Sequence, residues 1–491
     1  MIENSAKPLS DLLSKLRPGY RWLHASGDSD RERVMVSHLS CSSGDARPGS
    51  LHFCIRGKEF DGHDFADEAI ANGAVALVSG YQLRRTTPVP QIVVSNVREA
   101  MAQLASEFYS HPSKSCDVIG ITGTNGKTTT AVMLAHLLTR LGVGTAVFGT
   151  LTGQRTTPES LVFQKRIANA LASGLQAVVT EVTSHGLVQH RVDATEFRLA
   201  VFTNLSRDHL DFHQDMDDYF EAKAQLFDSG TSHAAAVNLS TEWGDRLARR
   251  VDTSRVHLFD TSKIEILGVD EHVVVEWRGE VVRMPRAPRF YVENAVTAAE
   301  SALALGCAAS AVAGAFEDLP RVVGRYEAID AGQPFSVVVD FAHTPDALEK
   351  VLKDTAEMAD SAPVTVVFGC GGERDPGKRA VMGAIADTHA DRVIVTSDNP
   401  RGEDPGQIAA DVVSGIPEDR RGLVDVVLDR REAIFAAVRR AEPGDVVVIA
   451  GKGHEQYQEI DSIRLPFRDQ EVSRQAIQQW VATGTGRPLP D

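Results

Sequence analysis

Cysteine is scarce in this chain. Five residues, Cys41, Cys54, Cys116, Cys307 and Cys370, are scattered over 491 positions with no C-x-x-C pair. An odd, dispersed set argues against a disulfide framework and against a zinc site, and it fits a reducing compartment. Long apolar runs are missing too: none approaches the roughly 18 residues of a membrane-spanning helix. Residues 1–8 lack the apolar core of a signal peptide. Basic residues are outnumbered, 51 Lys and Arg against 67 Asp and Glu, for a net charge of −16. That balance argues against nucleic acid or an anionic membrane as the main partner. It leaves a nucleotide open, because a local cradle can oppose the global sign. A soluble, cytoplasmic protein with no membrane insertion, working as a monomer, is expected.

What is present is ordinary globular composition, 43% hydrophobic, and length for about three domains. The most informative stretch is residues 120–130, Gly-Ile-Thr-Gly-Thr-Asn-Gly-Lys-Thr-Thr-Thr, directly after Val118 and Ile119. A β-branched strand runs into a glycine-rich turn, a lysine, hydroxyls and then a helical pattern. Backbone N–H groups in such a turn and at the helix start point at anionic oxygens. Lys127 can reach the β- and γ-phosphates of a triphosphate, and the hydroxyl of Thr128 or Thr129 can sit on Mg²⁺. The spacing is tighter than the strict P-loop, which needs glycine where Ile121 stands. The bland alternative is a Gly/Thr turn that merely links strand to helix. The order strand, turn, lysine, helix favours the cradle.

The first ~110 residues mix short strands at 51–55, 74–78 and 91–94 with a helix at 65–72, and 111–115 reads as a linker. From 117 onward, strands at 118–122, 145–148, 177–181, 200–204 and 234–238 alternate with helices, which implies a parallel sheet flanked by helices. The helix after the cradle, 127–141, puts Ala131, Leu134, Ala135, Leu138 and Leu141 on one face. Residues 273–277 and 281–284 form a predicted hairpin around Arg278-Gly279, and an alanine-rich helix covers 292–305. A second α/β region begins near 330, with strands at 336–340, 364–369, 392–396, 424–428 and 446–450. They are too apolar to be half-exposed. The fold class is α/β.

Residues with chemistry collect just past strand ends, where open α/β sheets bind ligands. Glu181 ends one strand and is placed to hold Mg²⁺ beside the cradle. The next strand end carries Asn204-Leu205-Ser206-Arg207-Asp208-His209. A lone histidine there is more often structural, but two successive strand ends with metal-capable side chains favour a role for His209. Lys223, on a predicted helix at 216–227, reads by itself as a solvated lysine. Arg325 can neutralise phosphate charge and Asp340 can accept from a ribose; the alternatives are a salt bridge at Arg325 and an N-cap at Thr344. Three glycine-rich or polar loops follow: 369–379, 397–401 and 451–455. Their Arg and Asp/Glu residues suit a zwitterionic amino acid, since guanidinium forks grip carboxylates and carboxylates hold ammonium.

Gly-Thr-Asn-Gly-Lys-Thr-Thr, Glu-Val-x-Ser-His-Gly-Leu-Val-Gln-His-Arg, Thr-Asn-Leu-Ser-Arg-Asp-His-Leu-Asp-x-His, Gly-Arg-x-Glu, Ala-His-Thr-Pro-Asp-Ala-Leu, Asp-Asn-Pro-Arg and Gly-Lys-Gly-His-Glu occur in this order. In that ordered set the chain resembles Mur ligases of the MurE type, over essentially its whole length. The resemblance implies three domains: a mixed α/β UDP-binding domain (1–112), a P-loop ATPase domain with a mostly parallel sheet (113–328) and a Rossmann-like domain (329–491). It implies an ATP-dependent ligase, ADP-forming, that joins an amino acid to UDP-N-acetylmuramoyl-L-alanyl-D-glutamate through an acyl phosphate during peptidoglycan precursor synthesis. Gly123, Thr124, Asn125, Gly126, Lys127, Thr128 and Thr129 match the positions that bind ATP phosphates. Asn294 matches an adenine contact, Arg325 a phosphate contact and Asp340 a ribose contact. Thr128, Glu181, His209 and Lys223 match the metal positions, with Lys223 carried in the family as a carbamate, N6-carboxylysine. Lys127, Lys223, His209 and Arg325 match the catalytic set. Ser43, Thr156, Thr157, Thr183, Gln189 and Arg191 match contacts to the UDP-muramoyl substrate. Arg374, Asp398, Asn399, Pro400, Arg401, Gly451 and Glu455 match the amino-acid pocket.

Arg401 favours meso-diaminopimelate as acceptor, because a buried guanidinium facing L-lysine would lack a carboxylate to fork. The chain departs from the family pattern at the uridine site, where Ser42-Ser43-Gly44 stands in place of Asp-Ser-Arg; Asp45 or Arg47 can rebuild it. Phe341 stands where Tyr is common, and Thr183 where Ser is common. The competing readings are a related ligase that takes L-lysine or another acceptor, and a non-catalytic nucleotide-binding paralogue. MurF or folylpolyglutamate synthetase would share the ATP residues but lack 398–401 combined with 451–455. The set Lys127, Glu181, His209, Lys223 and Arg325 speaks against a scaffold.

Overall fold

The computed structural model describes residues 6–16, 19–23, 33–57, 60–83, 87–153 and 155–483. The start of the chain, read above as lacking a signal core, lies outside them at residues 1–5. Three sheets organise the chain. The N-terminal one has the order Arg21–Leu23, Gln91–Val93, Ala74–Ser79, Ser50–Phe53, His38–Ser40, with only Arg21–Leu23 antiparallel.

The central sheet is wholly parallel: Val256–Phe259, Ser232–Asn238, Phe197–Phe202, Asp117–Thr122, Ala177–Glu181, Thr145–Phe148. Asp117–Thr122 sits in its middle, and the chain leaves it in one direction for Thr145–Phe148 and later crosses to Phe197–Phe202 on the other side. That reversal opens a crevice at the strand C-termini. Register aligns the site. Glu181 pairs with Ile121 and Phe202 with Thr122, so the ends of both neighbours flank the turn at Gly123. The helix Lys127–Arg140 packs its Ala131 and Leu134 face with Val292, Ala295 and Ala299 of the helix Arg289–Ala304 on one side of the sheet. Phe163, Phe197, Tyr219 and Phe220 fill the other side. A three-stranded antiparallel sheet, Glu265–Val269, His272–Trp277, Glu280–Pro285, closes the first core. Its second turn uses Arg278 (φ 56°) and Gly279 (φ 80°), two left-handed residues, as a tight hairpin requires.

The C-terminal sheet runs Glu327–Ala328, Ser336–Asp340, Val446–Ala450, Val364–Phe368, Arg392–Val395, Asp425–Val426, with only Glu327–Ala328 antiparallel. Its four inner strands are buried almost throughout, as their apolar runs require. The strand expected at 424–428 shrinks to Asp425–Val426, at the open edge, with Val426 half exposed. Neighbours on one side only leave it nothing to bury against. The linker expected at 111–115 is a packed 3₁₀ turn, Pro112–Lys114, whose Ser113 Oγ accepts from the Glu196 N–H at 3.1 Å. Sequence reading also missed the hairpin Tyr457–Ile460 and Ile463–Pro466, two four-residue strands that form a two-stranded sheet of their own, with Ile463 and Leu465 exposed. Among the described residues no helix is long and apolar enough to cross a membrane.

One ion pair pins the C-terminal core. Arg430 and Asp469 are both fully buried and pair at 2.8 Å through Nε and Nη2, while Nη2 also donates to the Ala450 carbonyl at 2.9 Å. That arginine ties the last helix, Asp469–Thr483, to the strand end that leads into Gly451. Arg430→Met leaves Asp469 charged and buried. The expected loss is about 3–5 kcal/mol in C-terminal unfolding by urea, and an unchanged midpoint would contradict the assigned role.

Candidate active site

The cradle is built by close backbone approach. A Cβ on Gly123 (φ 150°) would lie 1.9 Å from Thr203 Oγ1, and one on Gly126 (φ 83°) would lie 2.3 Å from Asn294 Oδ1. Only glycine fits at either position. The turn is held by the neighbouring strand end. Thr124 N–H donates to the Asn204 carbonyl and Asn125 N–H to Asn204 Oδ1, both at 3.0 Å, and Thr203 Oγ1 donates to the Asn125 carbonyl at 2.7 Å. Lys127 folds over the turn and donates to the carbonyls of Gly123 and Thr124, each at 2.8 Å. Burial pushes its pKa down, while Glu181 and Asp208 oppose that shift. The buried Thr129 lies in the first turn of the helix that the loop opens.

Glu181 is the hub beside the cradle. Thr128 Oγ1 donates to its Oε2 at 2.7 Å, and Thr150 N–H to its Oε1 at 2.8 Å. Arg325 reaches in from the segment between the two larger sheets: its Nη2 donates to Thr128 Oγ1 at 3.0 Å and its guanidinium lies 4.5 Å over the Phe341 ring. Arg325 Nε is buried and, among the described residues, has no hydrogen-bond partner. Asp340 accepts from the Tyr326 and Ala342 N–H groups, each at 2.7 Å. Its pKa is raised by burial against the pull of Arg325. Each oxygen still has a lone pair for a hydroxyl.

Lys223 is buried, not solvated. Its Nζ donates to the Gly123 carbonyl at 2.8 Å and lies 4.6 Å over the Tyr219 ring. Burial, then the nearby Lys127 charge, holds its pKa well below the usual lysine value. His209 adopts φ 55°, an uncommon conformation for a non-glycine residue, with Nε2 3.4 Å from Asp208 Oδ2 and its ring 4.9 Å from His185. Burial lowers its pKa against Asp208, which favours the neutral imidazole. Among the described residues no three His, Cys, Asp or Glu side chains gather as a ligand cluster. Mg²⁺ needs none, since it is commonly held by one or two carboxylates, a hydroxyl and substrate phosphates. The hard oxygen pair Thr128 and Glu181 fits that ion.

The muramoyl-side residues meet around the same strand end. Thr157 Oγ1 donates to the Glu181 carbonyl at 3.0 Å and accepts from Thr183 N–H at 3.0 Å; Thr156 and Thr150 hydroxyls lie 3.0 Å apart. Arg191 donates to the Thr157 carbonyl (2.9 Å) and Gln189 Oε1 (2.7 Å), and its buried Nε lacks a protein partner. Ser43 does not join them: it lies in the N-terminal domain, donating to Glu68 at 3.0 Å.

The residues expected to meet the acceptor come together at the C-terminal sheet. Asn399 Nδ2 donates to Glu455 Oε2 at 2.9 Å. Arg401 (φ 52°) donates from Nη1 to the Gly372 carbonyl at 2.6 Å and holds Nε 3.6 Å from Glu459. Pro400 precedes it in the same loop, buried. A Cβ on Gly451 would stand 2.9 Å from Asp398 Oδ2. Arg374 is exposed and lies 3.8 Å from Asp211 of the central domain. Sequence reading missed Glu159, which pairs with Arg98 of the N-terminal domain (2.9 Å) and with Arg191 (3.3 Å), and Asp346, which accepts from Asn125 at 2.7 Å. Both work across long sequence separations that no local pattern announces.

Comparison with known proteins gives a consistent picture. Residues 121–302 match the family model described as the Mur ligase middle domain, 324–453 the Mur ligase, glutamate ligase domain, and 35–109 the Mur ligase family, catalytic domain. A UDP-N-acetylmuramoyl-L-alanyl-D-glutamate–2,6-diaminopimelate ligase of Geobacillus kaustophilus is 39% identical, with 96% of this chain and 99% of that one aligned. Its namesake in Streptomyces coelicolor is 38% identical over 97% and 98%. A solved structure bearing the same ligase name has a TM-score of 0.64 at 32% identity, covering 97% of this chain and 100% of the other. MurF ligase of Thermotoga maritima in complex with ADP, at 19% identity and TM-score 0.63 over 91% of this chain and 98% of its own, shares the fold.

Gly126→Ala puts a methyl group against Asn294 in a left-handed backbone. Affinity for ADP, measured by calorimetric titration, is expected to fall about tenfold or more. Unaltered affinity would mean that the turn does not hold phosphate in this conformation.

Proposed function

This chain belongs to the Mur ligase family, and from that premise we propose that it joins meso-diaminopimelate to the D-glutamyl carboxylate of UDP-N-acetylmuramoyl-L-alanyl-D-glutamate with conversion of ATP to ADP and phosphate. The observation that carries the reading is the meeting of two sites. Arg325 touches Thr128 of the cradle and is followed, fifteen residues on, by Asp340 and by Phe341. The Phe341 ring in turn lies 4.8 Å from that of His454, tilted by 51°, in the loop that carries Gly451 and Glu455. Relatives named for this reaction, aligned over nearly the whole chain, supply the chemistry of both substrates.

A carboxylate is a poor electrophile. An oxygen of the D-glutamyl carboxylate attacks the γ-phosphorus and ADP departs. The resulting acyl phosphate is attacked at carbon by the neutral amine; the tetrahedral intermediate expels phosphate and the nitrogen gives up its proton. The protein's contribution to the first step is positioning and charge neutralisation. The turn 123–129 and Lys127 hold the β- and γ-phosphates, Arg325 faces the same oxygens, Asn294 lies at the adenine and Asp340 at the ribose. Thr128 and Glu181, with His209, would hold Mg²⁺, which when bound spreads the triphosphate's charge. Lys223 as a carbamate turns a buried cation into an anion, removing its repulsion with Lys127; its burial and depressed basicity support that modification. Thr156, Thr157, Thr183, Gln189, Arg191 and Ser43 take the UDP-muramoyl substrate. Arg374, Asp398, Asn399, Arg401, Gly451 and Glu455 take the acceptor, with Arg401 forking its distal carboxylate.

The labour divides among residues 1–112, 113–328 and 329–491. Closure of the domains excludes the water that would hydrolyse the acyl phosphate. The proposed setting is a monomer in the cytoplasm, a reducing compartment that suits five free cysteines.

Phosphate release tests the proposal. It is expected only when ATP, the UDP-muramoyl dipeptide and meso-diaminopimelate are all present, and L-lysine is expected to replace the acceptor poorly. Arg401→Ala should cost about 2–5 kcal/mol in kcat/KM for meso-diaminopimelate. Release without the dipeptide, or unchanged kinetics in the variant, would refute the substrate and the acceptor assignment respectively.

A further inference from the structure

A buried lysine stands inside the acceptor site with no part in the reaction as described. Lys452 is 0% exposed. Its ammonium donates to Glu455 Oε2 at 2.7 Å and to Asn399 Oδ1 at 3.0 Å, and it lies 3.7 Å from Asp398 Oδ1. Three residues of the acceptor site thus share one internal cation.

Each contact has a consequence. Asn399 Oδ1 accepts from Lys452 and also from the Glu459 N–H at 2.9 Å. That commits the amide's donor end, Nδ2, to Glu455 Oε2. Glu455 Oε2 is therefore saturated by two donors, and Oε1 is the oxygen left for an incoming ammonium. Charge follows the same logic. The distal end of meso-diaminopimelate carries one ammonium and one carboxylate. Asp398 and Glu455 alone would set two negative charges against that single ammonium. Lys452 offsets one of them and so lowers the negative charge that faces the distal end, while a third carboxylate, Glu459, stays 3.6 Å from Arg401 Nε. A site with the surplus negative charge would instead favour a chain end that is only an ammonium.

We propose that Lys452 is a positioning and specificity residue of the acceptor site: it orients Asn399 and Glu455 and offsets one carboxylate charge, so that an amino acid with a zwitterionic distal end is selected over one ending in a lone ammonium. This rests on the amide-ligase reading above. Lysine suits the role better than arginine would, because a compact ammonium donates to two oxygens in different directions and keeps its charge 3.7 Å from a third, whereas a guanidinium presents a planar fork.

The test is steady-state phosphate release by wild type, Lys452→Met and Lys452→Arg, with thermal unfolding recorded for each. Lys452→Met is expected to raise the KM for meso-diaminopimelate by about thirtyfold or more, with the KM for ATP unchanged. Its preference for meso-diaminopimelate over L-lysine should shrink by about tenfold. Lys452→Arg keeps the charge but not the geometry, so its acceptor KM should rise while the preference is retained; this variant carries the test if the methionine variant does not fold. Parallel increases in the KM for ATP and for the acceptor, with the preference intact, would show a merely structural lysine and overturn the proposal. So would an unchanged acceptor KM. A wild type that shows no acceptor-dependent release would bring down the ligase reading itself, and this inference with it.

Discussion

The site depends on one close approach: the turn after Asp117–Thr122 lies against the end of Phe197–Phe202, with glycine where any side chain would collide. Gly123 meets Thr203 and Gly126 meets Asn294 at distances no Cβ could share. That contact ties the N–H groups of Thr124 and Asn125 to Asn204, and Lys127 lies across the turn. It also leaves the Gly123 carbonyl to two lysines, Lys127 and Lys223, each at 2.8 Å. Burial first, and then repulsion between the two ammonium groups, depresses the basicity of Lys223, and converting it to an anion would relieve that repulsion.

From there the chemistry is distributed by register. Pairing of Glu181 with Ile121 puts a carboxylate beside Thr128. Arg325 then closes on the same hydroxyl from a different part of the chain. The C-terminal sheet repeats the device: Gly451 (φ 112°) brings its loop against Asp398, and Arg401 is held in a left-handed conformation by the Gly372 and Glu459 contacts. Non-glycine residues in that conformation cost of order 1–3 kcal/mol and persist where surrounding structure over-determines them. Among the described residues thirteen non-glycines adopt it; two of them, His209 and Arg401, belong to the proposed chemistry, and others such as Arg278 sit in turns.

Much of this was legible in the sequence. Strand, glycine turn, lysine and helix announce the cradle because each residue type is required by backbone geometry. The strand ends at Glu181, Asp340 and Gly451 were readable because apolar runs stop where ligand-facing residues begin. The burial of Lys223 was not: its helix shows no feature that separates a core lysine from a solvated one. The contact of Lys452 with Asn399 and the Arg430–Asp469 pair were equally hidden, since these partners lie tens of residues apart and only the assembled sheet brings them together. The edge strand at Asp425–Val426 was overread because apolar content does not report whether a second neighbour exists. Ser43 donates to Glu68 in the N-terminal region, where the sequence pattern itself was least regular.

The central claim is that the D-glutamyl carboxylate receives the γ-phosphoryl group before the amine attacks. Labelling that carboxylate with heavy oxygen and analysing the inorganic phosphate by mass spectrometry tests it most directly. The account predicts that a labelled oxygen moves from the carboxylate into the phosphate at every turnover that yields amide. Amide formation with unlabelled phosphate would contradict it.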